Sequence, residues 1–431
     1  MTSPRDVVIV EGVRTPFAKA GTKLKNVHAA DLGKAALTDL VAKANLDVDL
    51  VDEVIIGNTG SPSDAVNIAR VVALKSGFPQ KTSAYTVHRN CASALQSVSN
   101  GYEKIKSGTM DVIVAGGTES MSNMPLIYSK ALQDSFGKLM AAKTPAAKLA
   151  VLSEFKFTDF FAPRVAILEG LTDPFCGLNM GQTAEVLAKK FEISRKEQDE
   201  YALRSHQRAI AGKEKLHEEM TPVFLPPDYK ESLDEDIGPR EGQSMEALQK
   251  LKPFFDKKYG TITPGNSCPI TDGAAMLLLM SREKAEALGY KPIAKIRSYG
   301  FAGLDPKEMG LGPVYSTPIA LKRAGLSMKD IGLVELNEAF AAQVLACLKA
   351  FGSDVFAERE LGLDKALGEI DPEILNVNGG AIALGHPVGT TGTRIVLTLI
   401  KEMQRRDVQF GLATLCIGGG QGGAMVVERE A

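Results

Sequence analysis

The chain has no tryptophan, only five histidines and only five cysteines in 431 residues. The cysteines (91, 176, 268, 347 and 416) are scattered and odd in number, and no CxxC pair occurs. A zinc ribbon or a thioredoxin-type dithiol therefore has no support, and no metal site is expected. A disulfide framework is not expected in so large a chain without a signal peptide, so the five read as free thiols in a reducing, cytoplasmic setting. A cationic stretch leading into an apolar segment is missing at the N-terminus, which runs almost directly into Val7-Val8-Ile9-Val10, so secretion is not expected. No apolar run approaches the ~18 residues of a membrane span, and the longest, Gly273 to Met280, reads as a buried element. Lys+Arg 50 against Asp+Glu 52 leaves no cationic surplus, which argues against nucleic acid as a partner. With 44% hydrophobic and 24% charged residues, disorder as the main state is excluded.

At roughly 150 residues per domain the length allows about three units, or two similar halves around one core. Strand-like runs Val7 to Val10 and Glu53 to Ile56 flank a helical pattern from Ala29 to Ala44. Cys91 opens a further helical pattern, Ala92 to Lys106, before the apolar strand Val112 to Ala115. Such alternation predicts a largely parallel α/β layer. From Met121 to about Gly260 the texture changes to prolines, acidic residues and polar helices such as Arg195 to Lys213, which reads as an insertion. The alternation returns after Lys291. The expected division is thus 1–120 plus 261–290, an inserted loop domain 121–260, and 291–431.

The two α/β parts also resemble each other. Leu50 to Asn58 is echoed by Ile331 to Glu338, and Cys91, its helix and Asp111 to Gly117 are echoed by His386, a helix and Phe410 to Thr414. Two copies of one βαβ-rich unit about a pseudo-twofold axis would bring Cys91 and His386 together at two helix starts. Coincidence of short α/β patterns is the alternative.

Four constellations can carry chemistry. A thiol at a helix start, as in His88-Arg89-Asn90-Cys91-Ala92, faces unsatisfied N–H groups that favour thiolate; the alternative is a buried Cys in a tight turn. In Asn376 to Gly389, four glycines surround His386, and Pro387 suits the first helical position, so His386 is a candidate base at a helix entrance. Cys416-Ile417-Gly418-Gly419-Gly420 matches a dinucleotide fingerprint formally through Gly418, Gly420 and Gly423. A strand follows it where a helix is needed, however, so the loop reads instead as an oxyanion cradle facing Cys416. Finally, Leu336-Asn337-Glu338 ends an apolar strand, where α/β folds place functional groups; a helix cap by Asn337 is the plainer option.

Taken with Val10 to Pro16, Ala115 to Met121, Met180 to Glu185, Gly265-Asn266, Asn337-Glu338-Ala339-Phe340 and Gly385-His386-Pro387, the order and spacing resemble the thiolases over nearly the whole chain. The segments Ser129 to Leu171 and Gln198 to His206 look most like the thiolase β-subunits of fatty-acid oxidation trifunctional complexes. The resemblance implies the thiolase fold, with two βαβ-rich halves in a layered α/β/α/β/α core. It implies thiolytic cleavage of a 3-ketoacyl-CoA, or the reverse condensation, through an acyl thioester on Cys91. In that scheme His386 assists the thiolate, and Cys416 protonates or deprotonates the acetyl-CoA α-carbon. The N–H groups of Cys91 and Gly418 serve one oxyanion, and His386 with a water held by Asn337 serves the other. CoA contacts are implied for Arg240, Met180, Cys268, Ala339 and Phe340, with CoA and acyl-CoA as substrates and no cofactor. A homodimer or homotetramer is implied, with a hydratase/dehydrogenase α-subunit as a further partner. The basic, amphipathic stretch 136–158 raises membrane-surface association, against a plain lid over the CoA site. The rival readings are a biosynthetic acetoacetyl-CoA thiolase, a ketoacyl synthase, which Cys416 argues against, and a non-catalytic acyl-CoA-binding scaffold.

Overall fold

The structure, a computed structural model, describes residues 5–161 and 163–430. Its strands longer than two residues are β1 (Val7–Arg14), β2 (Glu53–Gly57), β3 (Ser83–Val87), β4 (Val112–Glu119), β5 (Thr271–Ser281), β6 (Ala294–Gly303), β7 (Leu333–Leu336), β8 (Phe410–Ile417) and β9 (Gln421–Arg429). The helices that matter here are α1 (Ala29–Lys43), α2 (Ser93–Lys106), α3 (Lys130–Ala141), α4 (Pro145–Glu154), α5 (Met180–Lys190), α6 (Arg195–Ala211), α7 (Gly312–Ala324), α8 (Ala341–Phe351) and α9 (Thr391–Arg406).

The strands join in the order β7-β8-β9-β6-β1-β5-β4-β2-β3, and the order contains the duplication. β1 pairs antiparallel with β5, β5 antiparallel with β4, and β4 parallel with β2. In the other half β6 pairs antiparallel with β9, β9 antiparallel with β8, and β8 parallel with β7. Even the irregularities correspond: the ladder slips between Ile9 and Glu11 in one half and between Ile296 and Ser298 in the other. The two halves meet where β1 pairs with β6 at Val8 and Ile9. The expectation of a largely parallel layer is corrected to a mixed sheet. β8 returns directly into β9 through a three-residue glycine turn, and only antiparallel neighbours can be joined so tightly.

Alternating strand residues feed different cores. Val8, Val10, Val112, Val114, Met276 and Leu278 pack with Leu32, Leu37 and Leu40 of α1 on one outer side. Leu412, Ala424 and Val426 pack with α7 and α8 on the other. The intervening residues, among them Ile9, Ile113, Leu277, Leu415 and Met425, close around Leu95 and Val98 of α2 and Ile395, Leu399 and Met403 of α9. A strand buried on both faces has no solvent side to fill with polar residues, which is why Gly273 to Met280 within β5 reads as one continuous apolar run rather than as an alternation.

The middle layer is tightly packed where its two helices start. A Cβ on Gly392 of α9 would stand 2.3 Å from the Leu95 nitrogen of α2, and one on Gly117 of β4 would stand 2.1 Å from the Gly389 carbonyl oxygen. Only glycine lets the two helix starts come this close.

Between β4 and β5 lies the long insertion. Arg14, fully buried at the end of β1, holds it: Nε donates to Glu219 (2.6 Å), and the two terminal nitrogens donate to Asp236 (2.8 and 2.7 Å). The stretch expected to be one basic amphipathic segment is two short helices, α3 and α4, broken at Ala142–Thr144. An aromatic chain from Tyr128 through Phe136 to Phe155 and Phe160 holds them together, with ring centroids 5.3–6.0 Å apart along it. Met140, Leu149 and Leu152 stay exposed. Among the described residues no helix is long and apolar enough to cross a membrane.

Gly392→Ala tests the helix approach by its sign. On an open helix face this change stabilises by about 1 kcal/mol. Here the new methyl meets backbone, and denaturant unfolding is expected to show a loss of about 1–3 kcal/mol. A gain would mean that the layer is looser than this account holds.

Candidate active site

Cys91 sits in the turn between β3 and α2. Asn90 takes a left-handed conformation (φ 43°), and the Ser93 hydroxyl accepts from the Arg89 nitrogen (2.9 Å) while donating to the Asn90 carbonyl (2.7 Å). Two side chains fasten this turn to the β8–β9 hairpin. The Asn90 amide donates to the Gly418 carbonyl (2.7 Å), and Arg89 donates to Gln421 (3.0 Å) while lying 4.2 Å over the Phe301 ring. The residue is half-buried and its sulfur is enclosed, and burial pushes the thiol above its ordinary value. The N–H groups of Gly418 and of Cys91 itself pull the other way, and the Glu119 charge adds to the rise. The sequence expectation of a helix-start thiolate is therefore corrected: desolvation outweighs the N–H groups, and the resting group is a thiol.

His386 follows a short helix, Ala381–Leu384, and a left-handed Gly385 (φ 108°) where a Cβ would lie 2.3 Å from the Thr271 hydroxyl. The expectation that Pro387 opens the helix is also corrected. Residues 388–390 form a turn, with the Thr390 and Thr391 nitrogens donating to the Pro387 carbonyl, and α9 begins at Thr391. Pro387 supplies the carbonyl that closes this turn instead of the first helical residue. The imidazole is buried, and desolvation with the Arg394 cation nearby lowers its pKa to about 3, so it is neutral at rest. Nδ1 is 2.6 Å from the Thr391 hydroxyl, and Nε2 has no hydrogen-bond partner among the described residues.

Cys416 is buried near the end of β8, and its thiol is raised well above the usual range by burial and then by the neighbouring Cys91, Cys347 and Cys268. Cys268, whose nitrogen donates to the Ala339 carbonyl (3.0 Å), is pushed up to about 12 by burial and by Cys91. Cys91, Cys268 and Cys416 thus lie within one another's field. Pro269, next in the chain, accepts from the His386 nitrogen (3.4 Å), which brings the histidine loop beside them. Asn337, fully buried just past β7, caps no helix, since α8 begins at Ala341 after an extended Phe340. Neither end of its amide finds a partner among the described residues. A buried amide left unpaired costs about 1–3 kcal/mol, and both its donor and its acceptor remain free to pair with a guest.

Met180, Cys268, Ala339 and Phe340 form one apolar cluster with Cys416, and the Met180 sulfur lies 3.2 Å from where a Gly418 Cβ would stand. Arg240 stands apart on an exposed loop, its nitrogen donating to Nδ1 of His206 (3.3 Å). Two carboxylates were not assigned roles from sequence. Glu119 accepts from the nitrogens of Thr59 (3.0 Å), Gly60 (2.9 Å) and Gly389 (2.8 Å), tying the loop after β2 to the histidine loop. Glu338 accepts from Tyr201 (3.0 Å), Ser205 (2.6 Å), Asn376 (2.9 Å) and the Ile382 nitrogen (3.2 Å). The available signal was a lone acidic residue beside an apolar strand, in Gly116-Gly117-Thr118-Glu119 and Leu336-Asn337-Glu338 alike.

Two measurements follow from this electrostatic picture. Alkylation of Cys91 by iodoacetamide, read peptide by peptide, is expected to quicken about tenfold per pH unit from pH 7 to pH 9 without levelling off. A plateau below pH 8 would show a thiolate already present at neutrality. Asn337→Leu removes the unpaired amide at similar volume and is expected to raise unfolding stability by about 1–3 kcal/mol. A destabilised variant would mean that the amide is satisfied internally.

Comparison with known proteins bears on the whole chain. Residues 7–283 match the family model described as thiolase, N-terminal domain, and residues 290–429 match that of thiolase, C-terminal domain. The 3-ketoacyl-CoA thiolases of Yersinia pestis and Serratia proteamaculans are each 42% identical over 427 residues, 98% of this chain and 97% of theirs. Among solved structures, the acetyl-CoA acetyltransferase of Bacillus anthracis superposes with a TM-score of 0.86 at 36% identity, covering 100% of both chains. Human mitochondrial 3-ketoacyl-CoA thiolase in complex with CoA superposes at 0.84 with 38% identity, covering 99% of this chain and 98% of that one. A duplicated sheet, with enclosed thiols gathered at one end of it, thus has full-length counterparts in sequence and in structure, and the chain belongs to the thiolase family.

Proposed function

We propose that the protein is an acetyl-CoA C-acyltransferase that cleaves a 3-ketoacyl-CoA with CoA to acetyl-CoA and a shortened acyl-CoA. The observation that carries this reading is the pair of enclosed thiols, Cys91 and Cys416, in each other's field beside the His386 Nε2 and the Asn337 amide, neither of which has a partner among the described residues.

Cys91 gives its proton to Nε2 of His386 as its sulfur attacks the keto carbonyl, so the thiolate exists only while substrate is present. The carbon–carbon bond then breaks, leaving the acyl group on Cys91 and an acetyl-CoA enolate. Cys416 donates its proton to that carbanion. Its strongly raised pKa suits it to exchange protons with a weakly acidic carbon, since proton transfer is most efficient when donor and acceptor are matched. CoA then takes the acyl group: its thiol proton restores Cys416, and His386 returns its proton to the departing Cys91 sulfur. The Cys91 and Gly418 N–H groups, already facing the sulfur, stabilise one oxyanion. The Asn337 amide, holding a water, and the protonated His386 stabilise the other. Met180, Cys268, Ala339 and Phe340 line the pantetheine path, and exposed Arg240 reaches the nucleotide end of CoA. No metal or redox group takes part.

Oligomers of this chain, a hydratase/dehydrogenase partner docked on exposed Met140, Leu149 and Leu152, and a cytoplasmic location belong to the same proposal. Fatty-acid oxidation is favoured by the 3-ketoacyl-CoA thiolase relatives, while the Bacillus anthracis acetyl-CoA acetyltransferase keeps a biosynthetic role open.

Brief incubation with acetyl-CoA or hexadecanoyl-CoA and no free CoA is expected to leave an acyl group on the Cys91 peptide that is lost when CoA is added. The faster-loading chain distinguishes the biosynthetic from the degradative role. Cys416→Ser is expected still to load an acyl group on Cys91 yet to cleave 3-ketoacyl-CoA on the order of 10²–10⁴-fold more slowly. An adduct on Cys268 or Cys416 would overturn the assignment, and no adduct on a folded protein would favour a scaffold.

A further inference from the structure

We propose that Thr391 is a positioning residue that fixes His386 in the tautomer protonated on Nδ1, leaving the Nε2 lone pair free. This deepens the reading above and rests on it for its bearing on the reaction.

The argument is one of hydrogen counting. Thr391 is fully buried at the start of α9, and its hydroxyl lies 2.6 Å from Nδ1 of His386 and 3.1 Å from the Pro387 carbonyl. A hydroxyl has one hydrogen and two lone pairs. A helical threonine commonly spends that hydrogen on the carbonyl four residues back, which here is Pro387, whose oxygen also accepts from the Thr390 and Thr391 nitrogens. What remains toward the imidazole is a lone pair, so Nδ1 must bring the proton. The opposite tautomer would bury an N–H at Nε2 with no partner among the described residues, and a buried orphan N–H is rarer than an unfilled acceptor.

The surroundings leave this bond as the deciding contact. The His386 nitrogen donates to the Thr271 hydroxyl (3.2 Å), the Gly389 nitrogen to Glu119 (2.8 Å) and the Thr390 hydroxyl to the Gly273 carbonyl (2.9 Å). The loop backbone is therefore pinned from both sides, while the ring is oriented by Thr391. The β-branched side chain restricts its own rotation, so the hydroxyl is presented in one direction. The consequence is chemical: Nε2 is ready to receive the Cys91 proton, and once protonated it becomes the donor to an oxyanion, with no ring flip between the two tasks.

The test is nitrogen NMR on the full-length protein labelled with ¹⁵N-histidine, with the His386 signals identified by their loss in His386→Asn. The substrate-free wild type is expected to show a protonated Nδ1 and an unprotonated Nε2. Thr391→Val is expected to bring the two nitrogen shifts together as the tautomers mix. In the same variant kcat falls on the order of 10–100-fold with KM nearly unchanged. Thr391→Ser is expected to restore both. A wild type protonated at Nε2, or a folded Thr391→Val with an unaltered nitrogen pattern, overturns the proposal. The wild-type spectrum decides the tautomer even if the valine variant does not fold. A wild type that carries the Nδ1 proton but loads no acyl group would count against the thiolase chemistry alone.

Discussion

The close approach of two helix starts in the dry layer between the sheet halves is the constraint on which the rest of the molecule depends. Gly392 lies against the backbone of Leu95, and Gly117 against that of Gly389, at separations no side chain would permit. Because α2 follows the Cys91 turn and α9 follows the His386 loop, bringing the helices together brings both reactive loops to one end of the layer. Glu119 then fastens the arrangement from below, accepting hydrogen bonds from the loop after β2 and from Gly389 with a single carboxylate.

Burial sets the chemistry of that end. Cys91, Cys268 and Cys416 are all held above their ordinary thiol pKa, and His386 is held far below its own, by the same loss of solvent. The site at rest is therefore neutral at its reacting atoms, and charge is developed only against groups already in position. Asn337 and Nε2 of His386 have no partner among the described residues, which is a cost in stability localised where a substrate can relieve it. The Glu338 cluster shows the opposite arrangement a residue away: a buried carboxylate filled by four donors, rigid and unreactive.

The insertion has a different physical character from the core it interrupts. Arg14 anchors one part of it through a buried pair of carboxylates, while α3 and α4 are held by a small aromatic chain and keep apolar side chains in solvent. Two of the lysines that made the stretch look like a basic amphipathic segment are paired within it, Lys130 with Asp134 and Lys138 with Glu154. Local composition there was legible, and so was the break into two helices, since Thr144 caps α4 and Pro145 takes its first position, a pair that ends one helix and starts another.

Periodicity and glycine placement carried the sequence a long way. Continuous apolar runs identified strands buried on both faces, the echo between Cys91 to Gly117 and His386 to Thr414 matched the duplicated topology, and the Gly418 to Gly420 turn between strands was recognised against its dinucleotide-like spelling. These are local properties, set by the chain's own φ/ψ limits and by which side chains need water excluded. Tertiary structure alone decided the direction of the Cys91 shift, since a helix start favours the thiolate locally while burial in the folded protein, with the distant Glu119 charge adding to it, outweighs that preference. It also decided that His386 stands a full turn ahead of α9, because the turn closes on the Pro387 carbonyl, and that Glu119 joins two loops 330 residues apart. Electrostatics and hydrogen-bond closure are sums over neighbours in space, and a sequence names those neighbours without saying which of them meet.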